Sequence, residues 1–164
     1  MKIAVYGPAF NERSEAAIKT LIESLTNKTS EVVFEKNFHT SIVAESDIDI
    51  TSFGFQTFDS LDRSYQLLIS IGGDGTILRA ITYVKDLEIP IVGINTGRLG
   101  FLATIPINNI ESAMNRIFQG QYRISERSLL SLTTDSEDAV FDLNFALNEI
   151  TVSRKNTTSM ISIE

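Results

Sequence analysis

The chain has 164 residues, of which 43% are apolar and 21% charged, so it is long enough to bury a core. Its formal net charge of −7 argues against a broad nucleic-acid surface, and the lack of cysteine excludes disulfides and thiolate metal sites. No apolar run approaches the roughly 18 residues of a membrane helix, so we predict a cytoplasmic protein that binds neither nucleic acid nor membrane.

The first half of the chain alternates strand and helix signals. Residues 2–6 form a β-rich run closed by a Gly-Pro turn, and a helical apolar repeat follows from a candidate cap at Asn11 to about Thr26. Residues 31–35 predict a second strand. Residues 37–64 have no clear period and predict a loop, with one short helix near 39–45.

A βαβ unit is predicted in the middle of the chain. Residues 66–71 are almost continuously apolar, which is typical of a strand buried on both faces of a parallel sheet. A helix follows with an apolar side, and residues 89–94 form another buried strand. The inward side of that helix is predicted to carry Ile77, Leu78, Ile81 and Val84.

The character of the sequence changes near Leu99. One more helix is predicted at about 109–119, and after it come short β-type runs separated by turn residues. These runs are 122–124, 128–133, 140–145, 149–153 and 160–163. The fold class is therefore α/β: a parallel-sheet α/β domain at 1–100, followed by the start of an all-β, sandwich-like domain at 101–164. Because the last run reaches the final residue, we expect the β domain to continue beyond it.

Six of the nine glycines lie between positions 72 and 100, and the first three belong to the sequence Gly72-Gly73-Asp74-Gly75-Thr76. This turn joins a buried strand to a helix, at the edge of an open α/β sheet where ligands bind. Free amides at a helix N-terminus favour an anion. The turn has neither the lysine of a P-loop nor the spacing of a dinucleotide-binding fingerprint.

Asp74 places a carboxylate in the centre of this phosphate-friendly turn. A carboxylate there is repelled by phosphate unless it contacts a hydroxyl or a metal. The pattern favours phosphoryl transfer to an alcohol, with Asp74 accepting the hydroxyl proton. The alternative is a tight turn in which Asp74 only bonds nearby amides.

A second cluster, residues 95–102, again follows a buried strand, so both glycine-rich loops are expected to face one crevice. Asn95 is predicted to bond across that crevice. Phe101 is either an apolar wall for a base or a core residue at a domain junction. Asn148 and Glu149 lie within an apolar strand pattern, where residue types alone favour a solvated strand end.

In this order, the three features resemble the NAD kinase family. The matching segments are Gly72-Gly73-Asp74-Gly75-Thr76, Asn95-Thr96-Gly97-Arg98-Leu99-Gly100-Phe101 and Ala146-Leu147-Asn148-Glu149. The first motif is shared with diacylglycerol and sphingoid lipid kinases, whereas the second at this distance is more specific. The resemblance implies that the α/β domain binds nucleotide and that Asp74 accepts the proton of the 2'-hydroxyl of NAD's adenosine ribose.

The resemblance also implies roles for other residues. Gly72, Gly73, Gly75 and Thr76 would contact nucleotide, as would Asn95. Arg79, which residue types alone favour as a solvated helix arginine, would reach a phosphate. Phe101 would lie beside adenine, and Asn148 with Glu149 would hold ribose hydroxyls. His39 matches nothing and is expected to be a surface or packing residue, and no protein side chain is predicted as a metal ligand.

The predicted reaction is transfer of a phosphoryl group from ATP or polyphosphate to NAD, with Mg²⁺ neutralising the donor phosphates. The resemblance implies a homo-oligomer assembled through the β domain. The family has a further Gly/Thr/Ser-rich loop and a returning C-terminal segment, neither of which occurs in these 164 residues. Activity of this length of chain is therefore an open question. A lipid kinase of the diacylglycerol type and a non-catalytic nucleotide-binding module remain the alternatives.

Overall fold

The computed structural model describes residues 1–26, 31–134, 141, 143–151 and 153. The chain divides into two compact units, Met1–Ile124 and Ser125–Glu164, so the first unit extends past the boundary at residue 100 that the sequence predicts. The first unit contains six strands: β1 (Lys2–Tyr6), β2 (Glu31–Glu35), β3 (Gln56–Phe58), β4 (Leu67–Gly72), β5 (Ile91–Asn95) and β6 (Ile105–Pro106). Its helices are α1 (Glu12–Thr26), α2 (Lys36–Glu45), α3 (Asp74–Val84) and α4 (Ile110–Phe118), with 3-10 turns at Ile50–Phe53 and Ile107–Asn109.

The six strands form one parallel sheet in the order β3-β2-β1-β4-β5-β6. The chain moves outward from β1 to β3, returns to the other side of β1 as β4, and moves outward again to β6. The order reverses between β1 and β4, and in doubly wound sheets this switch point is where ligands bind. The predicted parallel α/β fold is confirmed.

Helices cover both faces of the sheet. Helices α1, α2 and α4 pack with Ile3, Phe34 and Ile69 on one face, while α3 packs with Ala4 and Leu68 on the other. Because the central strands are covered on both sides, β1 and β4 are apolar almost throughout. This explains why their positions can be predicted from the sequence.

Three predictions for the first unit are wrong. The short helix predicted near 39–45 is observed as α2, which begins earlier, at Lys36. The loop predicted over the rest of 37–64 is wrong, because it contains a third strand, β3, which has no visible period since only Phe58 of its three residues is buried. Helix α3 buries Thr76, Ile77, Ala80 and Val84, so its inward side is rotated from the predicted one. Residues 122–124 are exposed and form no strand.

The second unit begins a small antiparallel sheet. Strand β7 (Leu130–Ser131) pairs with β8 (Phe145–Ala146), with Leu130 opposite Ala146. Residues 149–151 and 153 form no strand, so that predicted run is not observed where the chain is described. The run predicted at 160–163 lies outside the described residues. Among the described helices, none has the length and apolarity to cross a bilayer.

Two buried serines of the first unit differ in their hydrogen bonding. Ser14, at 3% exposure, donates its hydroxyl to Asn11 O at 2.7 Å and accepts from Asn11 N at 3.1 Å, which fixes the start of α1. Ser70, at 1% exposure in the middle of β4, has an Oγ without a partner among the described residues. A buried hydroxyl without a partner costs stability, since it has lost its bonds to water.

We expect Ser70→Ala to leave the stability of the purified protein unchanged or to raise it by about 1 kcal/mol, because it removes an unpaired polar atom. The matched variant Ser14→Ala should lower it by about 1 kcal/mol, because it removes a helix-start bond. Thermal and urea denaturation of both variants measure the two effects. If Ser70→Ala lost as much stability as Ser14→Ala, the conclusion that the Ser70 hydroxyl is unpaired would be contradicted.

Candidate active site

The glycine-rich turn connects β4 directly to α3. Gly72 ends the strand with φ of +152°, a backbone conformation that is strained for residues with a side chain. A Cβ at this position would also collide with the Thr76 side chain. Gly73 occupies the N-cap position of α3 without any side-chain cap bond. The amides of the first turn of α3 are therefore not covered by a capping side chain.

The loop after β5 lies beside this turn. In the sheet Asn95 is opposite Gly72, and the Thr96 amide donates to Gly72 O at 3.3 Å. Asn95 itself is 4% exposed; its Nδ2 donates to Arg98 O at 2.8 Å and to Ala103 O at 3.2 Å. The bond across the gap predicted for Asn95 is thus made by Thr96 instead, because the Asn95 amide holds its own loop together.

Asp74 ties the start of α3 to the end of that loop. Its Oδ2 accepts from Phe101 N at 2.8 Å, and its Oδ1 accepts from Leu102 N at 3.0 Å and Ala103 N at 2.9 Å. We call these three bonds the Asp74 clamp. The clamp also requires glycine at position 100, since a Cβ there would collide with the Asp74 carboxylate.

The clamp determines the charge of Asp74. The amide bonds from Ala103 and Phe101 outweigh the opposing effect of burial and lower the pKa of the Asp74 carboxyl below its ordinary value of 3.8. A carboxylate has about four acceptor positions, and the clamp uses both on Oδ1 and one on Oδ2. Among the described residues, the ionised group therefore has one acceptor position, on Oδ2, that no protein donor occupies.

A cavity of ≈ 610 Å³ opens at the glycine-rich turn. It lies where β1, β4 and β5 end, so both glycine-rich loops face one crevice, as the sequence predicts. Asp74 is not among the residues that line it. The lining residues are Pro8, Asn11, Glu12, Arg13, Gly72, Gly73, Thr76, Asn95, Thr96, Gly97 and Arg98.

Two predicted site residues of the first unit lie away from this cavity. Arg79 is exposed on α3 and lies close to Tyr6, where its charge lowers the pKa of the Tyr6 hydroxyl, although burial raises that pKa by more. Phe101 is 93% exposed. Its ring points away from the protein while its amide belongs to the clamp.

The remaining candidates lie elsewhere. Asn148 and Glu149 follow β8 in the second unit and are both exposed, as expected for a solvated strand end. His39 on α2 packs edge-on against Phe34, with ring centroids 6.2 Å apart, and burial lowers its pKa. This contact agrees with the packing role predicted for His39.

Sequence reasoning missed three residues that shape the site: Arg13, Arg98 and Gly100. Arg13 lies in the first turn of α1, where the helix dipole disfavours a cation. This electrostatically unfavourable position is the feature of the sequence that could have marked Arg13 as a candidate site residue. Arg98 and Gly100 stand inside the second motif, but nothing in their residue types reveals that one lines the cavity and the other packs on Asp74.

Cavities at the reversal of strand order in doubly wound sheets receive nucleotides and their phosphates. The fold and the site together define an α/β nucleotide-binding domain. The family model for the ATP-NAD kinase N-terminal domain matches residues 9–122. The chain belongs to the NAD kinase family.

Similar proteins agree with this assignment. The chain is 47% identical to an NAD kinase of Flavobacterium psychrophilum over 165 residues, covering 100% of this chain and 56% of that protein. It is 46% identical to an NAD kinase of Christiangramia forsetii, again over 56% of that protein. The chain therefore spans about half the length of the curated relatives it matches.

A solved structure supports the fold independently. The crystal structure of yeast NADH kinase complexed with NADH superposes with a TM-score of 0.64, covering 90% of this chain and 47% of the yeast chain. Its sequence identity to this chain is 16%, so the likeness concerns the fold alone.

We expect Gly100→Ala to break the Asp74 clamp, because the added methyl group collides with the carboxylate that holds the amides of 101–103. Hydrogen exchange at those amides should accelerate at least about tenfold, the loss of roughly 1.4 kcal/mol. The matched control is Gly97→Ala, since a Cβ at Gly97 meets nothing within 4 Å. Equal exchange rates in the two variants would refute the clamp.

Proposed function

We propose that the chain contributes the phosphoryl-transfer site of an enzyme that phosphorylates the 2'-hydroxyl of the adenosine ribose of NAD to give NADP. The phosphoryl donor would be ATP or inorganic polyphosphate. Family membership and relatives named NAD kinase support this proposal. Because the chain spans about half of those relatives, the activity is proposed for the whole protein.

The Asp74 carboxylate is the observation that carries the proposal. It is ionised, its orientation is fixed by three amide bonds, and it has one free acceptor position. Phosphoryl transfer has a loose transition state, so positioning of the nucleophile contributes much of the catalysis. Asp74 would accept the hydrogen bond of the ribose hydroxyl, orient its oxygen toward the donor, and receive its proton as the new bond forms.

The other residues surround this centre in the proposal. Gly72, Gly73, Gly75 and Thr76 would present backbone and hydroxyl groups to phosphates, while Asn95 would shape the loop opposite them. Phe101 would cover the adenine, since its exposed ring provides a flat apolar surface. A phosphate contact of Arg79 and ribose contacts of Asn148 and Glu149 stay predictions from the resemblance.

A divalent cation would bind at this site together with the phosphates of the phosphoryl donor. Kinases hold Mg²⁺ through one or two carboxylates together with substrate phosphates, without a dedicated protein cage. The described residues contain no group of three potential ligands, but Glu12 supplies one carboxylate at the cavity. When bound, Mg²⁺ would neutralise charge on the donor phosphates. A cytoplasmic location and a homo-oligomer stay predictions.

The test is formation of NADP from NAD, ATP and Mg²⁺ by the native full-length protein, with an NADP-specific dehydrogenase reporting the product. Product formation supports the proposal. If the folded protein phosphorylated diacylglycerol instead, a lipid kinase would replace it. Saturable NAD binding without any phosphoryl transfer would indicate a non-catalytic nucleotide-binding module.

We expect Asp74→Asn to lower turnover about 10²–10⁴-fold, the usual contribution of a proton acceptor, with a smaller effect on NAD binding. The amide side chain also loses acceptor capacity toward the loop, so Gly100→Ala serves as the control. That variant disturbs the clamp but keeps the carboxylate, and it should therefore retain more activity than Asp74→Asn. Equal turnover in the wild type and Asp74→Asn would show that Asp74 has no catalytic role.

The pH profile tests the charge of Asp74 separately. Because its folded pKa is lowered, the carboxyl stays ionised above its ordinary value of 3.8 and is protonated only in stronger acid. Turnover between about pH 5 and 8 should then show no break that depends on Asp74. An acidic limb near neutrality that disappears in Asp74→Asn would contradict the lowered pKa.

A further inference from the structure

We propose that Tyr6 is a positioning residue for Arg79: its hydroxyl holds the guanidinium in an orientation suited to a phosphate of NAD. The inference rests on the proposed function, in which Arg79 contacts a substrate phosphate. It adds a buried residue of β1 that belongs to neither glycine-rich loop.

Tyr6 lies on the face of the sheet that α3 covers. It is the last residue of β1, is 6% exposed, and belongs to the apolar cluster under α3. The strand register places it opposite Ser70 of β4, and Glu35 ends β2 on its other side. The side chain therefore lies at the carboxyl edge of the sheet, next to the point where the strand order reverses.

Helix α3 brings Arg79 to the same place. The rings of Tyr6 and Tyr83 have centroids 5.1 Å apart, so α3 crosses over the end of β1. Arg79 precedes Tyr83 by four residues and therefore lies on the same side of the helix. Because helical side chains lean toward the helix N-terminus, the guanidinium extends toward the carboxyl edge of the sheet. It acts on the Tyr6 hydroxyl through its charge and through a side-chain hydrogen bond, in which the guanidinium donates.

The Tyr6 side chain is itself fixed by its neighbours. The Tyr83 ring that packs on it also packs edge-on against Phe58, with centroids 5.8 Å apart. The Tyr83 hydroxyl bonds to Glu35, whose carboxylate accepts from Phe38 N at 2.8 Å in a residue that is 3% exposed. The Tyr6 hydroxyl therefore gives a long, flexible arginine a fixed partner, which lowers the conformational entropy that the arginine loses when a ligand binds.

A tyrosine holds Arg79 without cancelling its charge. Burial has the largest effect on the pKa of the Tyr6 hydroxyl and raises it above the ordinary value of 10.0. The charge and hydrogen bond of Arg79 lower this pKa, the charge of Glu35 raises it, and the balance stays raised. The hydroxyl is therefore neutral at physiological pH. A carboxylate in its place would form an ion pair and compete with a phosphate for the guanidinium.

The rest of the guanidinium remains available to a ligand. Arg79 is exposed and takes part in no ion pair within the described part of the chain. A guanidinium has five N–H donors, so a bond to one tyrosine oxygen leaves others for a phosphate. Bidentate binding of a phosphate depends on the orientation of the guanidinium, and this orientation is what Tyr6 fixes.

Steady-state kinetics of the native full-length protein test this role. We expect Tyr6→Phe, which keeps the buried ring and removes only the hydroxyl, to raise the KM for NAD roughly two- to tenfold, the usual cost of immobilising one long side chain. The KM for ATP and kcat should stay unchanged. The matched control is Tyr65→Phe, in the same apolar cluster at 8% exposure, whose hydroxyl is affected by Lys2 and Asp62 and not by Arg79. It should change none of these parameters.

A double-mutant cycle separates positioning from a general structural role. Arg79→Ala should raise the KM for NAD about tenfold or more, as expected for the loss of a charge-assisted hydrogen bond. Once Arg79 is absent, Tyr6→Phe should have no further effect, because the hydroxyl acts only through the guanidinium. If Tyr6→Phe raised the KM equally with and without Arg79, the hydroxyl would have only a structural role and the inference would be overturned.

Binding of NAD to the wild type, the two single variants and the double variant, measured by calorimetry, needs no turnover. Thermal denaturation confirms that each protein is folded. If Tyr6→Phe weakened NAD binding only when Arg79 is present, in a protein that forms no NADP, the positioning role would be supported while the proposed function fails. NADP formation by the wild type, with unchanged NAD affinity in Tyr6→Phe, would overturn the positioning role and leave the proposed function intact.

Discussion

The arrangement of the site depends on the hydrogen bonds that Asp74 accepts from the amides of residues 101–103. A helix start and a loop that are 27 residues apart in sequence are joined by a single carboxylate. The same bonds keep that carboxylate ionised and orient its one remaining acceptor position. Positioning and electrostatics are what phosphoryl transfer requires of a protein, so under the proposed function one interaction would serve both the fold of the loop and the chemistry.

The sheet decides which groups surround this carboxylate. Reversal of strand order between β1 and β4 separates the connections that leave the sheet there and opens a cavity at their carboxyl ends. The cavity is lined by residues at strand ends, and the pairing of neighbouring strands fixes the positions of these ends, as it does for Asn95 opposite Gly72. Gly72 and Gly73, just before Asp74, line the cavity, while Asp74 itself bonds to the end of the loop that follows β5.

The sequence predicts those features of the fold and the site that depend on residue type, and it does not predict those that depend on backbone contacts. Strands β1 and β4 are buried on both faces and therefore appear as apolar runs, whereas β3 buries only Phe58 and leaves no pattern. Asp74 stands out because a carboxylate is unusual in a phosphate-friendly turn. Its partners are backbone amides, which every residue except proline has, so residue types cannot reveal the clamp. The role of Gly100 is hidden for the same reason, because it depends on a neighbour 26 positions away.

The exposed ring of Phe101 has a thermodynamic consequence. Its side chain is 93% exposed while its amide is held by Asp74, so the backbone beneath the ring is already ordered. Ordering a flexible residue costs roughly 1–2 kcal/mol, and a ligand that covers this ring avoids much of that entropic loss. Full burial of a phenylalanine contributes about 1.5–3 kcal/mol, most of which is then available as affinity. Such binding has a negative heat-capacity change, since it removes apolar surface from water.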